Sequence, residues 1–233
     1  MPAMRQVRLL IISVFVLLPA GIACAGEAWL AQAGLLQAVA PMVRQQAPAP
    51  GLFLVSSRNL TDPHFNQTVV YLVAHSDDGS LGLIVNRPSE LRLADAVSDI
   101  ESEAGDAHAI YYGGPVKYSM LTMLLRSDTE NSLMRLVADD VFFSYDRRVL
   151  DRLLAERKPA GALRFYMGHA GWVAGQLQQE IERGDWFVVG ADAATIFSTR
   201  PRSIWTRLIE KLDPGGLYVK SEGGTCLLSV AIL

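Results

Sequence analysis

The chain has 233 residues, 50% of them hydrophobic and 19% charged, with a formal net charge of −3 and two cysteines. That composition supplies ample apolar surface for a single packed domain. It excludes a disulfide-stapled module, and no run of lysine and arginine marks a surface for an acidic polymer.

The N-terminus reads MPAMRQVRLLIISVFVLLPAGIACAG. Arg5 and Arg8 precede an apolar run from Leu9 to Leu18, which Pro19 and Gly21 break before small residues follow. This is the layout of a secretory leader over residues 1–25. A spanning helix takes about 20 residues. Even stretched to Ala25 the run only reaches the low edge of that range, where an uncleaved anchor is the other reading. Two cleavage readings stand side by side. Ala23-Cys24-Ala25 fits cutting before Gly26, and Gly21-Ile22-Ala23-Cys24 resembles a lipobox that would place a lipid on Cys24 and tether the chain to a membrane. In both, Cys226 has no intramolecular partner, and its setting in CLLSVAIL marks a buried thiol. Loss of residues 1–25 leaves 19 basic residues against 24 acidic ones, a net charge of −5.

Residues 26–50 are rich in alanine and glutamine and end Gln-Gln-Ala-Pro-Ala-Pro, a semi-rigid tether. Residues 51–233 form one domain. GLFLVS at 51–56 predicts a strand. TVVYLVAH at 68–75 and SLGLIVN at 80–86 predict a hairpin around Ser-Asp-Asp-Gly. Their apolar runs are nearly continuous, which predicts a sheet covered on both faces. LRLADAVSDIESEAG at 91–105 reads as a helix with a glycine stop, and AIYYGG at 109–114 as a strand ended by Gly-Gly-Pro. SMLTMLLRS, SLMRLVADD and VFFSYD suggest a meander. DRRVLDRLLAERKP at 146–159 predicts a helix with Val149, Leu150, Leu153 and Leu154 as its stripe.

ALRFYMGHA at 162–170 reads as a strand, and GHAGWVAGQLQQEI at 168–181 as its turn into a helix from about Val173 to Arg183. Val173, Leu177 and Ile181 recur at every fourth position and are expected to face the core. Gln176, Gln179, Glu180 and Arg183 lie on another face. WFVVGA is a strand, and ADAATIF and SIWTRLIEKL are helices, the second with Trp205, Leu208, Ile209 and Leu212 as its stripe. The mixed order predicts an α+β fold with antiparallel pairing prominent.

Few residues point to chemistry. There is no G-x-S-x-G elbow, and Ser56, Ser57, His64 and His75 have no telling spacing. His75-Ser76-Asp77-Asp78 has no second ligand cluster, and H-E-x-x-H is absent. Gly168-His169-Ala170-Gly171 is neither a dinucleotide fingerprint nor a phosphate loop. There and at Gly113-Gly114, backbone geometry is the favoured reading over an anion site. Arg202, Arg207 and Lys211 on the last helix are too thin a set for DNA recognition. Neither cofactor nor metal is expected.

Three stretches nevertheless resemble the YqgE/AlgH family of bacterial proteins: LTDPHFNQTVVYLVAHSDDGSLGLIVNRP at 60–88, YYGGPV at 111–116, and GHAGWVAGQLQQEIERGDWFVVGADAATIF at 168–197. They carry its D-P-x-F segment, G-x-x-x-N-R-P strand, G-G-P-V turn and G-W-x-x-G-Q-L-x-x-E-I helix in order. The resemblance implies an α+β fold: a bifurcated, mixed, largely antiparallel sheet with a small barrel-like core flanked by helices. It implies no reaction, since the family has no established catalytic site, and its members are often labelled transcriptional regulators. This chain departs in its leader and tether, in His169 where the family usually has tyrosine, and in a tail from about Asp213 that finds no match. An exported protein does not meet the chromosome.

The expected function is a non-catalytic binding or regulatory module, exported to the periplasm or membrane-tethered, with a protein or small ligand as partner. A cytoplasmic regulator of gene expression and an enzyme of unknown reaction are the alternatives. Asn86-Arg87-Pro88 and Gly113-Gly114-Pro115 both follow apolar strands. They are expected to meet His169 and Trp172 at one rim, with Gln176, Gln179 and Glu180 open to a partner.

Overall fold

The computed structural model describes residues 46–97, 100, 108–129 and 132–214. The leader, most of the tether, the tail and both cysteines lie outside them. Strands β1 (Leu52–Ser56), β2 (Val69–Ser76) and β3 (Gly79–Ile84) form at the predicted apolar runs. β2 and β3 are the expected hairpin, paired from Val70↔Ile84 to Ser76↔Gly79. Alternate side chains of a strand go to opposite faces, and here both faces are covered. Phe53, Val55, Tyr71, Val73 and Leu83 enter one core cluster; Leu54, Val70, Leu72 and Ile84 enter another.

The sequence pattern does not reveal β4 (Pro88–Arg92), which pairs with β5 (Ala109–Tyr112) through Pro88↔Tyr111 and Arg92↔Ala109. β4 is an exposed edge that opens on proline, so neither alternation nor β-branching marks it. It occupies the start of the stretch predicted to be helical over 91–105. Of that stretch the described helix is α1 (Leu93–Ala96).

β6 (Val116–Arg126), β7 (Arg135–Ala138) and β8 (Val141–Ser144) are not a simple meander. β7 and β8 form a hairpin, but β8 lies between β6 and β7. Burial explains the order: all four residues of β8 are buried, whereas β7 exposes Arg135 and Leu136 and takes the edge. α2 (Arg147–Ala155) begins where Asp146 accepts a hydrogen bond from Arg148 N–H, an N-cap. Its Val149, Leu150 and Leu153 pack with Met123, Phe142 and Phe165 in a further core cluster.

β9 (Leu163–Val173) is the spine. One edge pairs with β6 from Leu125↔Leu163 to Val116↔His169. The other carries β5, parallel, from Ile110↔Phe165 to Tyr112↔Met167, and then β3, antiparallel, from Gly82↔Ala170 to Gly79↔Val173. The sheet therefore forks at Gly168-His169. This corrects the reading of GHAGWV as a strand-to-helix turn. The strand runs through Val173, because β3 supplies its ladder, and α3 (Gln176–Glu182) starts after Gly175 at φ 74°. Val173 is 72% exposed and outside the core, while Leu177 and Ile181 are buried.

β10 (Trp186–Gly190) pairs with β1 along its length. α4 (Ala193–Ile196) and α5 (Ile204–Leu212) follow. α5 buries Ile204, Trp205 and Ile209, and Trp205 Nε1 donates to the Ser56 carbonyl at 2.8 Å; Leu208 and Leu212 flank it half-buried. β7 curls back toward β2, where Arg135 donates to the Val73 carbonyl at 2.8 Å. The result is an α+β fold with a forked, mixed, largely antiparallel sheet curled into a half-barrel.

Candidate recognition surface

The glycine motifs meet at the fork. Gly113 N–H donates to the Met167 carbonyl at 2.8 Å and its carbonyl accepts from Ile84 N–H at 3.0 Å, so it bridges β3 and β9. The segment after β5 crosses β9 backbone against backbone. A Cβ on Gly113 would stand 2.3 Å from the Gly168 carbonyl oxygen, and one on Gly114, at φ 148°, 2.3 Å from Ala170 N. Any side chain would prevent this crossing. Both glycines are buried. His169 is buried under the same crossing, and its Nδ1 has no hydrogen-bond partner. Burial, and then Lys117, hold its pKa below the ordinary histidine value.

Trp172 lies on the opposite side of β9 from the solvent-facing Val173. Its indole N–H donates to Glu180 Oε2 at 2.8 Å, and the indole of Trp186 donates to the same oxygen at 2.9 Å. Gln176 Nε2 donates to Glu180 Oε1 at 2.9 Å, and Gln176 Oε1 accepts from Val173 N–H at 3.1 Å. Gln176 and Glu180 thus serve the interior, which corrects the expectation that they lie open to a partner. Two buried indole donors need an acceptor, and a carboxylate one turn into α3 supplies it. Gln179 remains exposed.

Asn86 and Arg87 act on the segment between β1 and β2. Asn86 Oδ1 accepts from Val69 N–H at 2.8 Å and its Nδ2 donates to the Gln67 carbonyl at 2.9 Å. Arg87 donates to three backbone carbonyls: Pro63 at 3.3 Å, His64 at 2.8 Å and Asn66 at 2.6 Å. Burial draws the Arg87 pKa below its ordinary value, against the opposing pull of Tyr112 and Asp62. Asp62 Oδ1 accepts from His64 N–H at 2.7 Å, and the Tyr112 hydroxyl meets His64 Nδ1 at 3.2 Å. Phe65 turns inward, stacked on Trp172 at 5.9 Å and edge-on to Trp186 at 5.6 Å.

Phe65 therefore joins the two halves of the expected rim. Arg87 binds the carbonyls on either side of it, and Trp172 packs on its ring. Tyr112 ties in the Gly113-Gly114 crossing. His169 lies beneath that crossing and presents no exposed face. Periodicity gave Asp62, His64, Asn66 and Tyr112 no role here. Asp62 and His64 lie in the D-P-x-F segment and Tyr112 in YYGGPV, both legible through the family resemblance. The result is a loop with exposed Asp62, His64 and Asn66, held from beneath by Arg87 and Phe65. Of the serines and histidines weighed in the sequence, Ser56 Oγ accepts from Thr68 N–H at 2.9 Å, and His75 bonds Ser80 at 2.7 Å in the hairpin. Among the described residues no cluster of three or more His, Cys, Asp or Glu could hold a metal ion.

Residues 53–215 match the model of the AlgH-like family. The chain belongs to this family. A UPF0301 protein of Chlorobaculum tepidum is 32% identical over 171 residues, 72% of this chain and 88% of the relative. A UPF0301 protein of Azoarcus sp. strain BH72 is 34% identical over 165 residues, 69% and 87%. The solution structure of the AlgH protein from Pseudomonas aeruginosa superposes with a TM-score of 0.61 at 29% identity, covering 78% of this chain and all of that one. A Corynebacterium diphtheriae protein shares the fold at the same TM-score and 24% identity, covering 72% of this chain and 88% of that one. The AlgH-like match takes in both the glycine crossing and the Arg87-held loop. Residues 1–52 precede it.

Proposed function

We propose that this AlgH-like chain is a non-catalytic recognition module, exported and held near a membrane by its N-terminus, that binds a protein partner through the loop at 61–67. The observation that carries the reading is the use of Arg87. A partly buried guanidinium gives its donors to three backbone carbonyls of an exposed loop, which fixes the loop before any partner arrives. Preorganisation of this kind raises affinity by lowering the ordering cost of binding. An exposed, held loop suits a protein surface better than a small molecule, which favours a cavity. The leader pattern of residues 1–25 supports the export part.

A photo-crosslinking residue at Asn66, with a control at Gln178 on the far part of α3, tests the site in living cells. A discrete adduct from position 66 that disappears in Arg87→Met supports it; equal adducts from both positions overturn it. The intact mass of the protein in fractionated cells tests export separately. A chain starting at lipidated Cys24 or at Gly26 supports it, and a full-length chain in the cytoplasm overturns it.

A further inference from the structure

Among the described residues, Arg164 is a buried cation without a carboxylate. It is 6% exposed, and among the described residues no Asp or Glu forms an ion pair with it. Its guanidinium carbon lies 4.5 Å from the centre of the Tyr111 ring and 5.9 Å from that of Phe197. Nη2 donates to the Ser198 carbonyl, whereas Nη1 is buried and has no acceptor.

Two hydroxyls share its face of the sheet. Tyr166 stands two residues along β9, Thr122 of β6 lies directly across from Tyr166, and Tyr111 of β5 lies across on the other side. Directly opposed residues on one face bring their Cβ atoms to about 4.5–5.5 Å. Tyr166 and Thr122 are fully buried; the Thr122 hydroxyl has no hydrogen-bond partner, and the Tyr166 hydroxyl makes none of ordinary geometry but lies within reach of the Arg164 guanidinium. Burial raises the Tyr166 pKa above the usual phenol range, against the pull of Arg164, so the hydroxyl stays protonated and able to donate.

Buried polar groups are almost always partnered, and a buried cation without a counter-charge is costly. Stacking on Tyr111 offsets only part of that cost. A water molecule would satisfy the hydrogen bonds but leave the charge uncompensated. The depth of the groups restricts the ligand to a very small one. We propose that Arg164 Nη1, the Tyr166 hydroxyl and the Thr122 hydroxyl form a buried site for a halide-sized anion, chloride under ordinary conditions.

The test is thermal unfolding of the intact protein at constant ionic strength as acetate is replaced by chloride or bromide, with crystals grown in bromide. Binding to the folded state alone predicts a saturable rise in Tm with halide and an anomalous bromide peak in contact with Arg164 Nη1. Arg164→Met should remove the halide dependence but risks misfolding. Tyr166→Phe and Thr122→Val keep the core volume and should each weaken the apparent halide affinity several-fold. The same Tm in all salts, a halide response unchanged in both hydroxyl variants, or bromide at surface positions only would each overturn the proposal.

Discussion

The glycine crossing at 113–114 over 168–170 and the loop at 61–67 are both irregular, and they are fixed in opposite ways. At the crossing, two backbones touch because no side chain intervenes. At the loop, one long side chain, Arg87, collects three carbonyls, leaving His64 and Asn66 exposed while Phe65 turns inward. The first arrangement leaves no room for a ligand between the chains. The second presents one rigid, polar surface. A glycine-rich motif that attracts attention in a sequence can thus be a packing device, while the proposed binding surface sits in a segment with no periodic signal.

The comparison can be broken most severely at the crossing. Gly114→Ala meets Ala170 N at 2.3 Å with φ at 148°. It is expected to cost more than about 3 kcal/mol, beyond most single substitutions, read as a lost or sharply shifted urea transition. Next comes Glu180, the acceptor for the two indoles on which Phe65 packs. Glu180→Leu strips the acceptor from two indoles and is expected to cost about 2–4 kcal/mol, with a changed tryptophan emission. Glu180→Gln keeps an acceptor and should cost less.

Arg87→Met is expected to cost only about 1–2 kcal/mol, since the loop lies at the surface. Its signature is local: hydrogen exchange should accelerate at residues 64–68 and not at the crossing. Uniform acceleration would show that the two regions are one cooperative unit. The smallest effect is a pH dependence. His169 has its folded pKa lowered by burial and by Lys117. As pH falls through the unfolded value near 6.5 the unfolded chain binds more protons, so stability falls on acidification and levels out below the folded pKa. His169→Phe should flatten the Tm profile between pH 7 and pH 5. A residual slope is expected from His108, which burial shifts the same way.

Much of the fold was legible in local chemistry. Apolar, β-branched runs marked β1, β2, β3, β5 and β10, and their lack of alternation marked a sheet buried on both faces. Stripe and cap marked α2. Edges were harder to read. β4 is polar and exposed, and the order of β7 and β8 depends on which of them the core covers. For the candidate surface, the sequence pattern groups Asn86, Arg87 and Trp172 at one rim, and in the fold Phe65 lies between Arg87 and Trp172. The pattern leaves Gln176 and Glu180 open, because helical spacing cannot say which way a polar face turns.

The sequence by itself determined the family, the α+β class and the location of most strands, because each rests on side-chain pattern within a few residues. Only the tertiary structure decided that β9 continues through GHAGWV. The partner that sustains that strand is β3, about 90 positions away in the chain. It likewise decided that Glu180 serves two tryptophans and that Arg87 holds carbonyls 21, 23 and 24 residues upstream. Hydrogen-bond satisfaction is a property of the folded neighbourhood, and no window of sequence contains it.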